Sequence, residues 1–460
     1  MTPATDVLAE KLRLPCGALL PNRLCKAAMT EGVADSLLRA TERHERLYRR
    51  WSLGGAGLLL TGNVQIDRRV LERPGNVAID LTDPMTVSAE ARARLARWAR
   101  AGTAAGNQLW MQIAHAGRQS PRYVTGEPLG PSRVQLDLLG SYAPPRALTE
   151  VEILDLIERF AGAAGIAREC GFTGVQIHGA HGYLLSSFLS PVTNRRTDAW
   201  GGALANRARM LIEAVRAVRR RVGADFPVSV KLNSDDFRKG GFGIADCLEV
   251  VGLLNAESLD LLEISGGTYE QPRLLGVEGD PASVMPVRPS TRAREAYFLD
   301  YATRIRAVAR MPLMVTGGFR SRAGIEAALA AGDCDVVGLG RPLCVDPEFP
   351  RRLLAREVAE AEALEHTLVL RPRGMLSPTS PFLLLRIVNV LGAQGWYYHQ
   401  IFRLADGLEP DRHRGVLRSV AGHFADEWRT ALRLKRARRT RPRPIDPTAT
   451  GAVAPRKPPP

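Results

Sequence analysis

The sequence lacks the patterns that would place this chain in several large classes of protein. No run of eighteen apolar residues occurs in its 460 residues, so we expect no transmembrane helix. None of the six cysteines forms a Cys-x-x-Cys pair, so neither a zinc site nor an iron–sulfur cluster is indicated. The N-terminal residues carry acids and lack an apolar stretch, so we expect no signal peptide. A cytoplasmic location with reduced thiols follows from this.

Acidic residues become scarce only towards the end of the chain. The formal net charge is +15, and residues 411–460 hold thirteen Lys or Arg against four Asp or Glu. That segment therefore carries +9, and the rest of the chain carries only about +6. We expect no membrane partner and no nucleic-acid partner, although the basic tail leaves nucleic-acid binding open.

Apolar runs that suit strands alternate with amphipathic segments that suit helices from residue 20 to about 345. The strand candidates are Leu24–Met29, Gly57–Asn63, Gln108–Ala114, Gly174–His178, Val228–Asn233, Leu259–Ser265, Leu313–Gly317 and Asp335–Leu339. Eight such alternations predict an α/β fold of the (β/α)8 TIM-barrel type. A doubly wound sheet is the alternative, and the absence of Gly-x-Gly-x-x-Gly after the first strand disfavours it.

The chain divides into three predicted regions. These are a barrel over 1–350, a mostly helical C-terminal extension over 351–439, and a disordered, basic, Pro-rich tail over 440–460. Two long connections, 119–148 and 266–292, leave the C-terminal ends of strands three and six, where lids and substrate-binding loops are expected. An aromatic patch at 396–402 could pack on the barrel or on a partner subunit.

The most informative stretch follows the fourth predicted strand, which ends in His178-Gly-Ala-His181-Gly-Tyr183. Two imidazoles at the end of a parallel strand can bind a substrate oxygen that gains negative charge, and a nearby phenol can deliver a proton. The His pair could instead bind a metal, but no third ligand is evident, since the nearby Asp198 belongs to an Asn-Arg-Arg-Thr-Asp run. A pair of structural core histidines is the remaining alternative.

This motif and its continuation, Ser-Pro-x-x-Asn-x-Arg-x-Asp-x-x-Gly-Gly over 190–202, resemble the Old Yellow Enzyme family of FMN-dependent ene-reductases. The Gln112-x-x-His-x-Gly-Arg118 run on strand three is similar to the same family. The resemblance covers about residues 8–350. It implies FMN as the cofactor and NADH or NADPH as a transient reductant. It also implies that His178 and His181 hold the substrate carbonyl and that Tyr183 protonates the α-carbon.

The resemblance further implies which residues would contact the flavin ring. The backbone of Ala27, Ala28 and Met29 would touch the isoalloxazine, and Thr30 would bond its C4 carbonyl. Asn63 would lie near the pyrimidine ring, and Gln112 would bond the pyrimidine edge. Lys231 would lie beside N1 and the C2 carbonyl. Asn63 could instead stabilise a turn. Lys231 could instead form an internal ion pair with Glu263, because a buried charge needs a partner.

Glycine-rich turns follow strands seven and eight. Gly317 and Gly318 end one strand, and Gly338 and Gly340 accompany Arg341 at the end of the other. Glycines at these points let backbone N–H groups approach a phosphate, and an arginine adds a bidentate partner. We therefore predict that the two turns bind the FMN phosphate.

The resulting prediction is an FMN-dependent oxidoreductase that reduces the activated C=C bond of α,β-unsaturated carbonyl compounds with NAD(P)H. A flavin oxidase or amine demethylase on the same barrel is one alternative. A tRNA dihydrouridine synthase is another, but those enzymes use a loop cysteine that has no counterpart here. A non-catalytic flavin-binding protein is the last. A homo-oligomer is possible, and the substrate is a small enone-type molecule.

Overall fold

The computed structural model describes residues 6–138, 140–267 and 298–439. Its centre is a closed barrel of eight parallel strands, in which each strand pairs with the next and the eighth pairs with the first. The strands are β1 (Leu24–Lys26), β2 (Leu58–Leu60), β3 (Gln108–Ala114), β4 (Gly174–Gly179), β5 (Val228–Asn233), β6 (Leu261–Ser265), β7 (Leu313–Thr316) and β8 (Val336–Leu339). The predicted (β/α)8 fold is confirmed.

A helix follows each strand and packs on the outside of the barrel. The helices are α1 (Glu42–Leu53), α2 (Ala89–Gly102), α3 (Glu150–Glu169), α4 (Leu204–Val222), α5 (Ile244–Leu254), α6 (Leu299–Arg306), α7 (Arg322–Ala330) and α8 (Phe349–Leu354). Short helices at Pro84–Val87, Leu184–Leu189 and Pro342–Val345 lie in the connections. The start of α3 shows why these segments are helical: Thr149 and Glu152 form a reciprocal capping box that satisfies two free N–H groups.

The lower half of the barrel interior is a dry core. Its cluster consists of Leu14, Leu20, Cys25, Leu58, Leu60, Trp110, Leu261, Met314 and Val336. Leu14 and Leu20 come from the N-terminal segment, in which Leu12–Arg13 pairs with Leu19–Leu20, and they close the bottom of the barrel. Trp110 fits because its neighbour in register is Gly174, where a Cβ atom would lie 2.5 Å from the indole.

The upper half of the interior is polar, because the inward positions of three neighbouring strands carry polar side chains. His178 on β4, Lys231 on β5 and Glu263 on β6 lie side by side in register. The upper half opens at the C-terminal ends of the strands, which is the end where barrel enzymes hold their chemistry.

One predicted lid is well defined in the structure. In the connection over 119–148, a strand pair joins Leu129–Gly130 to Arg146–Ala147, and Arg118 donates to the carbonyls of Val134 and Gln135. The other predicted lid, over 266–292, falls almost wholly outside the described residues.

The C-terminal extension contains two long helices, α9 (Leu383–Ala405) and α10 (Val416–Arg439). Helix α9 runs through the predicted aromatic patch, which packs on the barrel: the Arg73 guanidinium lies 4.1 Å above the Tyr398 ring. Arg73 also forms a buried ion pair with Glu427 of α10. Between α8 and α9 the described chain is mainly irregular, because prolines interrupt it.

The predicted tail, 440–460, lies outside the described residues. Among the helices that the structure does describe, none combines the length and the apolar character needed to cross a membrane.

Candidate active site

The three residues of the His-x-x-His-Gly-Tyr motif form one cluster at the end of β4. The His178 ring lies 5.2 Å from the His181 ring and 4.9 Å from the Tyr183 ring, both at nearly perpendicular angles. His181 adopts a left-handed backbone with φ of 63°, which a side chain rarely takes without a functional or structural reason. This turn brings two residues three apart in sequence to the same side of the strand end.

Both histidines are neutral. Burial holds the pKa of His178 well below its ordinary value, and the nearby His181 and the Lys231 charge lower it further. Burial and Lys231 lower the pKa of His181 in the same direction. Nδ1 of His178 accepts from the backbone N–H of Ala180 at 3.2 Å, so the neutral ring carries its proton on Nε2. His178 can therefore donate a hydrogen bond without carrying a charge.

Two neighbouring strands hold His181 in place. Its Nε2 lies 2.7 Å from the Ser265 hydroxyl at the end of β6. Its backbone N–H donates to Oδ1 of Asn233 at the end of β5, and its carbonyl accepts from the Gln119 amide. Because three separate elements fix this residue, the left-handed turn is a stable part of the site.

A continuous network of buried polar side chains lies beside His178 on the neighbouring strands. Lys231 Nζ is 2.9 Å from Glu263 Oε1, and Gln176 Nε2 donates to Glu263 Oε2 at 2.8 Å. Gln112 Nε2 in turn donates to Gln176 Oε1 at 2.7 Å. The ion pair that the sequence left open for Lys231 is thus formed. Nζ of Lys231 and Gln112 Oε1 both retain hydrogen-bonding capacity for a ligand.

The ends of β1 and β2 border the same opening. Ala27 is buried, and Ala28 is partly buried against the lower interior cluster. Met29 Sδ lies 3.5 Å from Cys344 Sγ, beside the turn after β8. The Thr30 hydroxyl bonds the Glu72 carboxyl, whose pKa is raised mainly by burial.

Asn63 lies on the β2 side of the opening and is nearly buried. Its carbonyl accepts from the Asn76 amide at 3.4 Å, so Asn63 belongs to the turn that follows β2. This contact uses the backbone carbonyl of Asn63, so both roles of its side chain, a ligand contact and a turn, stay predictions.

The two glycine turns have the backbone that a phosphate site needs. Gly317 and Gly318 have φ values of 126° and 90°, which only glycine adopts readily. At Gly338 a Cβ atom would lie 2.0 Å from Thr316 Oγ1, so no side chain fits there. At Gly340 the nearest atom to such a Cβ is Met29 Sδ at 3.9 Å, which leaves open space above the turn.

Two arginines flank this space. Arg341 Nη1 lies 3.3 Å from the Glu365 carboxylate, and Arg320, just after β7, forms an ion pair with the same carboxylate. Glu365 comes from the irregular segment after the barrel, and its second oxygen accepts from the Tyr397 hydroxyl at 3.4 Å. The two arginines at the glycine turns thus share one carboxylate.

These residues fit an FMN molecule. Gln112 offers an amide for a pyrimidine edge, Lys231 offers a cation beside it, and the turns after β7 and β8 offer backbone N–H groups with two arginines. Thr316 Oγ1, one residue before Gly317, is buried without a hydrogen-bond partner in the described structure. An unpaired polar atom at this place is what a site for a polar ligand would contain.

The cysteines and Asp198 do not join the cluster. Burial raises the pKa of every cysteine thiol, to about 11 at Cys16 and to about 12 at Cys344, so none has the thiolate character of a catalytic cysteine. Asp198 instead pairs with Arg196. Within the described ranges, no group of three or more His, Cys, Asp or Glu side chains is arranged to hold a metal.

Sequence reasoning missed several residues of this site. The sequence prediction does not include Gln176, Asn233, Ser265, Arg320 and Glu365. Four of them contact predicted site residues, and Arg320 pairs with Glu365, which contacts Arg341. A signal was present for the first three, because polar residues recur at every second position at the ends of otherwise apolar strands. No local pattern marks Glu365, which reaches the site from outside the barrel.

The residues at the barrel opening that fit FMN point to the class of flavin-dependent oxidoreductases. The chain belongs to the NADH:flavin oxidoreductase / NADH oxidase family, whose sequence profile matches residues 17–358. This match confirms the resemblance to the Old Yellow Enzyme family, the assignment as an oxidoreductase, and the predicted use of FMN with NADH or NADPH.

Two fungal proteins show the family relation at the sequence level. The NADH-dependent flavin oxidoreductase iliE of Neonectria sp. (strain DH2) is 40% identical over 362 residues, or 74% of this chain. The NADH-dependent flavin oxidoreductase iccE of Talaromyces variabilis is 36% identical over 373 residues, or 75% of this chain. The matches span 46% of the first relative and 86% of the second.

A solved structure shows the same relation for the fold. The Old Yellow Enzyme homologue from Zymomonas mobilis superposes with a TM-score of 0.64 at 25% identity, over 82% of this chain and 99% of that one. The fold is therefore shared along nearly the whole of that protein.

Proposed function

We propose that this chain reduces the activated C=C bond of small α,β-unsaturated carbonyl compounds, using NADH or NADPH through FMN. The observation that carries the proposal is the cluster of two neutral histidines and a tyrosine at the end of β4, beside a buried lysine on the neighbouring strand. Such a cluster holds donors for a carbonyl oxygen and a proton for carbon within one site.

The histidines bind and polarise the substrate carbonyl. His178 donates from Nε2, since its Nδ1 is occupied by the Ala180 N–H. His181 is held by Ser265 and Asn233, so its ring needs little rearrangement when the substrate binds. As the β-carbon gains hydrogen, negative charge grows on the carbonyl oxygen, and these fixed donors stabilise it.

Tyr183 delivers the proton. Its ring is buried and lies against the His178 ring. A neutral phenol can protonate the α-carbon while the histidines hold the oxygen. When bound, FMN would supply the hydride-transfer chemistry, for which NADH or NADPH is the source of hydride.

The remaining predicted residues would hold FMN. Gln112 and Lys231 would face the pyrimidine side of the ring, with the backbone of Ala27, Ala28 and Met29 and the side chains of Thr30 and Asn63 around its edge. The glycine turns and Arg341 would hold the phosphate. The raised thiol pKa values disfavour the alternative of an RNA-modifying flavoenzyme, whose chemistry needs a reactive cysteine.

The test is an anaerobic spectral titration of the purified protein. NADH or NADPH should bleach the bound flavin, and cyclohexenone should then restore its colour without oxygen. If the enone leaves the flavin reduced until air enters, the chain acts as an oxidase or dehydrogenase. If no flavin binds even when FMN is supplied, the assignments of Gln112, Lys231 and the glycine turns are wrong.

A further inference from the structure

The buried polar network of Gln112, Gln176, Glu263 and Lys231 contains a carboxylate, Glu263, in addition to the cation that a flavin contact needs. All four side chains are at least 95% buried, and three hydrogen bonds or ion-pair contacts of 2.7 to 2.9 Å join them across β3 to β6. Lys231 alone would suffice to place a cation in the site. Glu263 therefore has a separate effect, because it places a full negative charge beside that cation.

Glu263 also sets the direction of every hydrogen bond in the network. A carboxylate only accepts, so Gln176 must turn its amide nitrogen towards Glu263 and its oxygen towards Gln112. Gln112 must then donate to Gln176, which leaves the Gln112 oxygen and its second N–H to face the site. One carboxylate thus fixes two amide orientations and one ion pair.

We propose that Glu263 is a positioning residue that lowers the reduction potential of bound FMN by offsetting part of the Lys231 charge. This inference rests on the proposed function, in which Lys231 faces the flavin pyrimidine. A cation there stabilises the added electron density of the reduced ring, and a carboxylate 2.9 Å from that cation weakens the effect. Because Glu263 contacts Lys231, the carboxylate offsets part of the lysine charge and would act on the flavin through it.

The proposal predicts a rank order of midpoint potentials. Glu263→Gln leaves Lys231 unbalanced and should raise the potential of the bound flavin. We expect at least a tenfold shift in the reduction equilibrium, or about 30 mV for a two-electron couple. The double variant Lys231→Met/Glu263→Gln removes both charges and should fall below the wild type. The conservative variant Glu263→Asp, which keeps the charge, should stay nearer the wild type than Glu263→Gln.

The matched control is Asp260→Asn. Asp260 immediately precedes β6 and is buried in an ion pair with Arg219, at the opposite end of the barrel. This substitution also removes a buried carboxylate that pairs with a cation. The Asp260 carboxylate, however, lies away from the proposed flavin site. Its effect on the flavin potential should therefore be negligible.

The experiment measures the midpoint potential of each holoenzyme by anaerobic reduction against a reference dye. The proposal is supported if the midpoint potential is highest in Glu263→Gln, intermediate in the wild type and lowest in the double variant. Equal potentials, or a Glu263→Gln potential below the wild type, would overturn it while leaving the proposed function standing. If Glu263→Gln does not fold, the double variant decides, because a potential at or above the wild type contradicts an offset of only part of the Lys231 charge. A protein that binds no FMN refutes both.

Discussion

The two halves of the barrel interior are built from opposite kinds of side chain. The lower half is filled by leucine, valine, methionine, cysteine and one tryptophan, whereas the upper half contains a buried ion pair, two amides and two histidines. Buried charges are expensive, and replacing such groups by apolar residues is often neutral or stabilising. We therefore infer that the lower half serves stability and that the upper half serves the proposed binding and chemistry.

The largest effect is expected from a substitution in the lower half of the barrel interior. Trp110→Ala removes a fully buried indole that packs against Gly174, so it should lower the free energy of unfolding by about 3–5 kcal/mol. FMN should still bind with the same stoichiometry in the folded fraction, because the upper contacts are intact. Chemical denaturation with flavin absorbance as a second probe checks both points. Unchanged stability would contradict the division of roles.

The next largest effect is expected from a substitution in the upper half of the barrel interior. His181→Ala removes one donor to the carbonyl oxygen, so enone reduction should slow by about 10²- to 10³-fold, or about 2.7–4 kcal/mol of transition-state stabilisation. The stability change should be smaller than at Trp110. His181→Asn is the matched control, since its amide still donates and should recover much of the rate. An Asn variant as slow as the Ala variant would argue against the donor role.

The smallest effect is the pH dependence of stability. Burial keeps the folded pKa of His178 and His181 well below the ordinary 6.5, so below that pH the unfolded chain binds more protons than the folded one. Their contribution to the free energy of unfolding is fully present above about pH 6.5. It is lost as the pH falls, by up to about 1.4 kcal/mol per pH unit for each histidine. His178→Asn/His181→Asn should flatten this slope in thermal unfolding. A slope equal to the wild type would contradict neutral histidines.

The sequence allowed most of the fold to be predicted, because the barrel strands are apolar runs of regular spacing. Two strands, Gln108–Ala114 and Val228–Asn233, have the predicted bounds, and the other six are shorter by one or more residues or, for β4, longer by one. Strand ends are hard to predict, since pairing depends on the neighbouring strand rather than on local pattern.

The site residues that share a short motif could be predicted from the sequence. Contacts between residues that are far apart in the sequence could not. His178, His181 and Tyr183 share one short motif, and the structure brings them together. Glu365 joins the Arg341 turn from outside the barrel, and Gln176 joins Gln112 only through strand register. The alternation of polar residues marks Gln176, but which residues it and Glu365 contact depends on the closed barrel and leaves no spacing that a single sequence can reveal.

The most direct test of the central claim is the rate of each half-reaction in Tyr183→Phe. The phenol is proposed to act only when the enone is protonated, so reduction of the flavin by NADH or NADPH should stay close to the wild-type rate. Reoxidation of the reduced flavin by cyclohexenone should slow by about 10²- to 10⁴-fold. Rapid mixing without oxygen measures both rates in one preparation. Equal slowing of both half-reactions, or no slowing of either, would contradict the assignment of Tyr183 as the proton donor.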